Sequence, residues 1–391
     1  MKFVNKYLLI FSFIAFLFLN LVLYLFMDFF HAQIPFNRSS YIYESYHYKQ
    51  DPRITHQPFS LLNALGQWDS QWYLKIAGEG YPKPTHGGNK NERLVNKLSY
   101  TFFPLLPLLI FFINLLFKNI ELSAFILANS IMTANFFSLY IVISRWFSRT
   151  IAIKTIFLVF LFPFSIFFRG YYTEGLRLLL FIWLCFGIQE KKCFLAAFCL
   201  GLLSITSGIS LLLLPYFMLL LFVFWKNKTI SYKNLLYSGI VTGLPFFFWI
   251  LFCFIQTGNP FFFVLTSYAW YRPAFPLLHN ILLLFSLPWL PTISTYGSKL
   301  DVLFIWLTLF LTFVSRKILP WFVWLTTLIL GFTSLILQDS AAFARFTSVL
   351  FPFFVYLAYV LRGKYYFFML FLFTVGLLGV SLLFINWYWI E

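Results

Sequence analysis

The stretch "GQWDSQWYLKIAGEGY", residues 66–81, sets one carboxylate, Asp69, between Trp68 and Trp72. An acid flanked by rings and partly stripped of water is the kind of group enzymes use as a general base. The plainer reading is an acid on an interfacial helix that simply faces water. A second acid, Glu174, opens an apolar segment with Arg177 three residues on. Such a pair can line a polar cavity, because ionisable groups near lipid seldom face it. It equally fits an acid favoured by a helix dipole, with Thr173 as N-cap. Residues 257–273 begin with the turn Gly258-Asn259-Pro260 and continue through aromatics to Trp270 and Arg272. That mixture suits an aromatic belt at a membrane surface, or a groove for a lipid chain or sugar with Arg272 near a phosphate. Arg345 stands in a late apolar run, about a turn inside it. Unless it snorkels it needs an anion, and phosphate matches the guanidinium fork. A base, aromatic stacking surfaces and phosphate neutralisation are what moving a sugar off a lipid phosphate requires.

The elements that must position these groups are dictated by composition. Of 391 residues, 61% are hydrophobic and 10% charged, and 57 are Phe. A soluble domain carries about a quarter charged residues, so lipid is the solvent for most of this chain. The net charge of +16 would suggest nucleic acid in a soluble protein. Here, however, the basic residues cluster between apolar runs long enough to span about 30 Å of hydrocarbon, which excludes that reading. Cys185, Cys193, Cys199 and Cys253 all lie in apolar runs without metal-ligand spacing, as buried small hydrophobes do. No dense acidic cluster calls for a divalent metal.

The expected architecture is an all-α polytopic membrane protein forming one domain over residues 1–391. A first helix covers about residues 7–27, with its N-terminus in the cytoplasm. Residues 28–101 form an extracytoplasmic loop, and residues 102–391 the multispan region. Within the loop, Leu62, Leu65, Trp68, Asp69, Trp72, Tyr73 and Ile76 recur at helical spacing over 61–78, predicting an amphipathic helix in the membrane interface. Further spans fall at about 121–144, 151–168, 172–189, 193–208, 209–225, 234–256, 301–314, 319–337, 341–361 and 365–388. Two shorter segments, about 103–117 and 277–293, each carry two prolines. If neither crosses, the count is about 11; if both cross, about 13. Only the first choice puts Arg145/Arg149, Lys191/Lys192, Lys226/Lys228, Arg316/Lys317 and Arg362/Lys364 all in the cytoplasm. The polar stretches around Asp69, 169–174, 258–272 and 338–345 then share the opposite face.

The motifs carrying these residues resemble one family. Trp68-Asp69-x-x-x-Tyr73-x-x-Ile76-Ala77-x-x-Gly80-Tyr81, then Phe102-Phe103-Pro104-Leu105-x-Pro107, resembles the opening motifs of the PIG-V family of membrane mannosyltransferases. Pro163-x-Ser165-Ile166-Phe167-Phe168-x-x-x-Tyr172-Thr173-Glu174 is similar to its "NPASIFFSAxYSE". Thr257-Gly258-Asn259-Pro260 through Trp270 is similar to its "GDP…W" loop, and Arg345-Phe346 with Phe351-Pro352 to its "RY…P". The resemblance implies a GT-C glycosyltransferase with an extracytoplasmic or lumenal site, a polyprenyl-phosphate sugar donor and inversion at the anomeric carbon. It puts Asp69 in the place of the first-loop base, Glu174 in that of the second acid and Arg345 in that of the late Arg; the mechanism then expected sets Arg345, with Arg272, at the donor phosphate. Trp68, Trp72, Tyr73, Tyr172 and Trp270 become the aromatic groups that meet substrate. The chain departs from the family at Thr206-Ser207-Gly208-Ile209-Ser210, where "TRPTG" is usual, and at Arg177, where an apolar residue is usual. Its short length and compact loops resemble a prokaryotic relative, which implies the cytoplasmic membrane (the endoplasmic reticulum in a eukaryote). The acceptor is then a glycolipid, an envelope polymer or a protein. The rival readings are a lipid-linked-sugar transporter or flippase and an inactive accessory subunit.

Overall fold

The computed structural model describes residues 2–44, 46–83, 94, 96–267, 282, 285, 299–337 and 343–390. Among these residues the regular elements are all helical, as expected where backbone groups must be satisfied without water. The main helices are α1 (Lys2–Phe30), α2 (Asp69–Glu79), α3 (Leu105–Phe117), α4 (Ile120–Trp146), α5 (Arg149–Leu161), α6 (Glu174–Gln189) and α7 (Cys193–Ser204). They continue as α8 (Leu213–Lys226), α9 (Tyr232–Thr257), α10 (Lys299–Val314), α11 (Trp321–Leu337), α12 (Phe343–Thr347), α13 (Phe351–Val360) and α14 (Lys364–Ile385). Among the described residues five stretches are long and apolar enough to cross a membrane: Tyr7–Gln33, Ile120–Trp146, Gly208–Lys226, Tyr232–Thr257 and Lys364–Ile385.

Prolines decide where several expected spans break. α5 stops at Leu161, and the chain continues as a 3-10 turn, Pro163–Phe168, because Pro163 has no N–H to extend the ladder. The run 341–361 divides into α12 and α13, with Pro352 in the first turn of α13. α3 has 13 residues, about 20 Å of rise, which is short of a bilayer core. It folds back on α4 through Lys118, at φ +50°, and Asn119, whose side chain caps α4 at the Leu122 N–H. The segment 277–293 lies outside the described residues, apart from 282 and 285. Elsewhere small residues let helices approach closely: a Cβ on Gly201 of α7 would stand 2.7 Å from the Val241 carbonyl of α9, and one on Gly187 of α6 would stand 2.7 Å from the Ala196 nitrogen of α7.

The five basic clusters gather at one end of the bundle. Arg145, closing α4, bonds Glu190, just past α6, at 2.6 Å. Lys191 and Lys192 share a cavity with Ile230 and Asn234, next to Lys226 and Lys228. Phe224 meets Phe322, and Arg316 lies over Trp321 and Trp324. Lys154 of α5 donates to the Leu361 carbonyl beside Arg362. The other end of α6 carries Glu174, about 24 Å away along its 16 residues. Gly175 packs there against Ile131 of α4, and the Asn135 amide donates to the Gly175 carbonyl at 2.8 Å. α4 rises roughly 15 Å beyond that level to Ile120, where Glu121 accepts from Asn63 of the first loop. α1 runs antiparallel to α4, with Phe16 against Phe136 and Tyr24 against Phe125. Its outer face stays apolar and exposed through Phe18, Leu21, Leu25 and Phe29. The level of Glu174 therefore lies within the apolar belt, roofed by the first loop.

Candidate functional site

Asp69 begins α2 because the carbonyls before it accept from groups other than a continuous i+4 backbone ladder. The Leu65 carbonyl accepts from the Tyr171 N–H, the Gly66 carbonyl from the Gln71 side chain, and the Gln67 carbonyl from the Tyr172 hydroxyl. The helix expected over 61–78 is therefore two pieces, one turn at Leu61–Ala64 and then α2. Between them Trp68 sits at φ +53°, a conformation that costs a non-glycine residue about 1–3 kcal/mol. α2 also shows no wet face over most of its length, since residues 70–77 are all buried. Trp68 packs on Trp387 and Trp389, and Trp72 lies between Tyr46 and a stacked Phe102. Rather than floating at headgroup level, the two tryptophans lock α2 into the protein.

Four charges then alternate in sign from surface to interior. Asp69 Oδ2 accepts from Arg345 NH1 at 2.8 Å, Arg345 Nε lies 3.2 Å from Glu174 Oε1, and Arg177 NH1 lies 3.5 Å from the same oxygen. Side-chain exposure falls from 25% for Asp69 to 9% for Arg345, and Glu174 and Arg177 are both buried, at 1% and 2%. Asp69 is therefore the member that water or a substrate reaches first. Arg345 reaches the line from α12, and Glu174 stands in the first turn of α6, where the helix dipole favours an anion. Rings of Phe167, Tyr172 and Phe346 face the Arg345 guanidinium at 5.6, 5.3 and 5.0 Å, so it is held by π-faces as well as carboxylates. Arg177 also faces Phe346, at 5.2 Å. Glu174 Oε2 and Arg177 Nε have no hydrogen-bond partner among the described residues.

The structure thus brings Asp69, Glu174, Arg177, Arg345 and Tyr172 together. Tyr73 joins them: its hydroxyl bonds the Thr173 side chain, and burial, then the charges of Asp69 and Glu174, holds its proton well above the ordinary tyrosine range. Thr173 accordingly makes no side-chain cap for α6, unlike the N-cap its position suggests. The anion that Arg345 needs is supplied from within the protein by two carboxylates. Arg169, close by in sequence, turns away to bond Asn20 of α1 at 2.6 and 2.9 Å. Trp270, Arg272 and residues 338–342 lie outside the described residues.

One acid was not singled out by spacing. Glu44, half-buried in the first loop, has its carboxyl pushed up to about 7 by burial and then by the negative charge of Asp69. Its segment lies along α2, with Tyr46 against Trp72 and the Lys49 N–H donating to Gln71 Oε1 at 2.7 Å. No motif marks it, because Glu44 lies 25 positions before Asp69 and meets that acid's surroundings only through this packing. Compared with known protein families, curated proteins and solved structures, the chain matches none.

Proposed function

We propose that this chain is a membrane glycosyltransferase of the GT-C type. It moves a sugar, mannose by the resemblance, from a polyprenyl-phosphate donor to a lipid-linked, glycan or protein acceptor on the extracytoplasmic face, with inversion. The observation that carries the proposal is the line Asp69–Arg345–Glu174–Arg177, with an accessible carboxylate at its mouth and a guanidinium directly behind. A donor phosphate competes with the two carboxylates for Arg345. Asp69 takes the proton of the acceptor hydroxyl as that oxygen bonds the anomeric carbon. The carbon–oxygen bond to phosphate breaks on the opposite face, and polyprenyl phosphate leaves with the electron pair. Glu174 keeps the two arginines in place. Trp68 and Trp72, being buried, position α2, whereas Tyr73 and Tyr172 border the charges directly. The isoprenoid lies along the exposed apolar belt, at whose depth the charges sit.

The test uses the full chain in lipid nanodiscs with radiolabelled polyprenyl-phosphate-mannose, wild type beside Asp69→Asn. Label reaching an acceptor, or released to water, with a 10²–10⁴-fold loss in the variant, is the expected result for a removed general base. Full turnover by a well-folded variant would remove Asp69 from the chemistry. Donor binding without turnover in either protein would favour a lipid-linked-sugar carrier.

A further inference from the structure

The bundle end away from Asp69 holds a cavity of about 430 Å³ between the start of α7 and the start of α9. Lys191, Lys192, Phe194, Asn234 and Tyr237 are among the residues lining it. Over residues 189–238 five lysines (191, 192, 226, 228 and 233) stand against a single acid, Glu190. That acid is bonded to Arg145 at 2.6 Å and also feels the charge of Lys192, so one carboxylate is shared among Arg145 and five lysines. Lys191 is held at φ +55° in the tight turn between α6 and α7. Lys192 is the N-cap of α7 and makes no side-chain cap bond, and Cys193, Phe194 and Leu195 of the first turn line the cavity. The cavity is thus lined by two lysines, Lys192 with its ammonium 5.2 Å from the Phe186 ring centroid, beside the positive end of a 12-residue helix.

The surface beside it is apolar. Phe194 and Phe198 are exposed one turn apart on α7, and Tyr237, Ile240 and Leu244 are exposed on one side of α9. A soluble polyphosphate would engage only the lysines and make no use of the adjoining stripes. A lipid with an anionic head satisfies both. We propose that this cavity binds the phosphate headgroup of an anionic phospholipid, with Lys191 and Lys192 on the phosphate and the acyl chains along the Phe194/Phe198 and Tyr237/Leu244 stripes. The inference is independent of sugar transfer and holds whatever the chemistry at Asp69.

The test is native mass spectrometry of the full-length protein, with thermal unfolding in detergent, against phosphatidylglycerol and phosphatidylcholine of identical chains. The wild type is expected to retain phosphatidylglycerol selectively and to unfold at a higher temperature with it. Lys191→Gln/Lys192→Gln should lose roughly tenfold or more of that preference. Lys191→Arg/Lys192→Arg should keep it, as should Arg316→Gln/Lys317→Gln in another basic cluster. Absence of preference in the wild type overturns the proposal, as does equal loss in the Arg316/Lys317 variant. Reproduction of the shift by inorganic phosphate alone also overturns it, in favour of a soluble anion. If the glutamine pair does not fold, the arginine pair and the wild type still decide the matter.

Discussion

Two buried acid–arginine assemblies serve this protein in different ways. The first joins Asp51 and Arg53 of the first loop to the segment after α14. Arg53 donates Nε and NH2 to the Asp51 carboxylate at 2.9 and 2.8 Å, NH1 to Asn386 at 2.7 Å, and NH2 also to the Ile385 carbonyl at 2.8 Å. Asp51 Oδ2 further accepts from the Trp387 indole at 3.0 Å. The second is the line from Asp69 to Arg177, where Glu174 Oε2 and Arg177 Nε remain without hydrogen-bond partners among the described residues. A fully hydrogen-bonded buried pair is a fastening. One with unused donors and acceptors retains capacity for another polar group, at a cost in stability.

The sharpest way to break this comparison is to remove Arg53. Arg53→Ala strands the buried Asp51 and should cost about 3–5 kcal/mol, measured as a large drop in thermal unfolding midpoint. Transfer per folded molecule should persist. If turnover vanished in the folded fraction, the clasp would belong to the site. Arg177→Met should cost less than Arg53→Ala by about 1 kcal/mol or more, because Arg345 still covers Glu174 and an incompletely bonded charge is removed. Equal losses in the same unfolding assay would mean that both assemblies are fastenings.

The smallest expected effect concerns Glu44, whose carboxyl is raised from 4.5 to about 7. Below the ordinary carboxylate range it is protonated in both folded and unfolded chains and costs nothing. As pH rises toward 7 the unfolded chain ionises first, so folding stability falls, and the whole cost is present above about 7. Glu44→Gln should therefore raise the unfolding free energy near pH 8, by about 1 kcal/mol after allowing for partial exposure, and leave it unchanged near pH 4. A gain of the same size at both pH values would mean that ionisation of Glu44, costly through burial and then through Asp69, is not what limits stability.

Helices in the apolar runs were legible from sequence because their hydrogen bonds close within four residues and lipid permits little else. Asp69, Glu174 and Arg345 were legible by type, as charges beside membrane-length apolar runs. Their meeting was not, since Arg345 and Asp69 lie 276 positions apart, and no local pattern encodes such a pairing. The break before α2 was hidden for the same reason: Tyr171 and Tyr172, which supply two of the three competing donors, come from more than 100 residues downstream. Glu44 had no local signature at all. Its surroundings exist only once the first loop has folded onto α2.

The clasp also imposes a timetable. Arg53 and Asn386 are separated by 333 positions, and a ribosome adds about 5–20 residues per second. For roughly half a minute after Arg53 emerges its final partner does not yet exist, and Trp68 lacks the Trp387 ring that it later packs against. The first loop is thus made early and finished late. A nascent chain arrested before residue 385 would present an unfastened loop, open to proteases and to chaperones at the membrane surface.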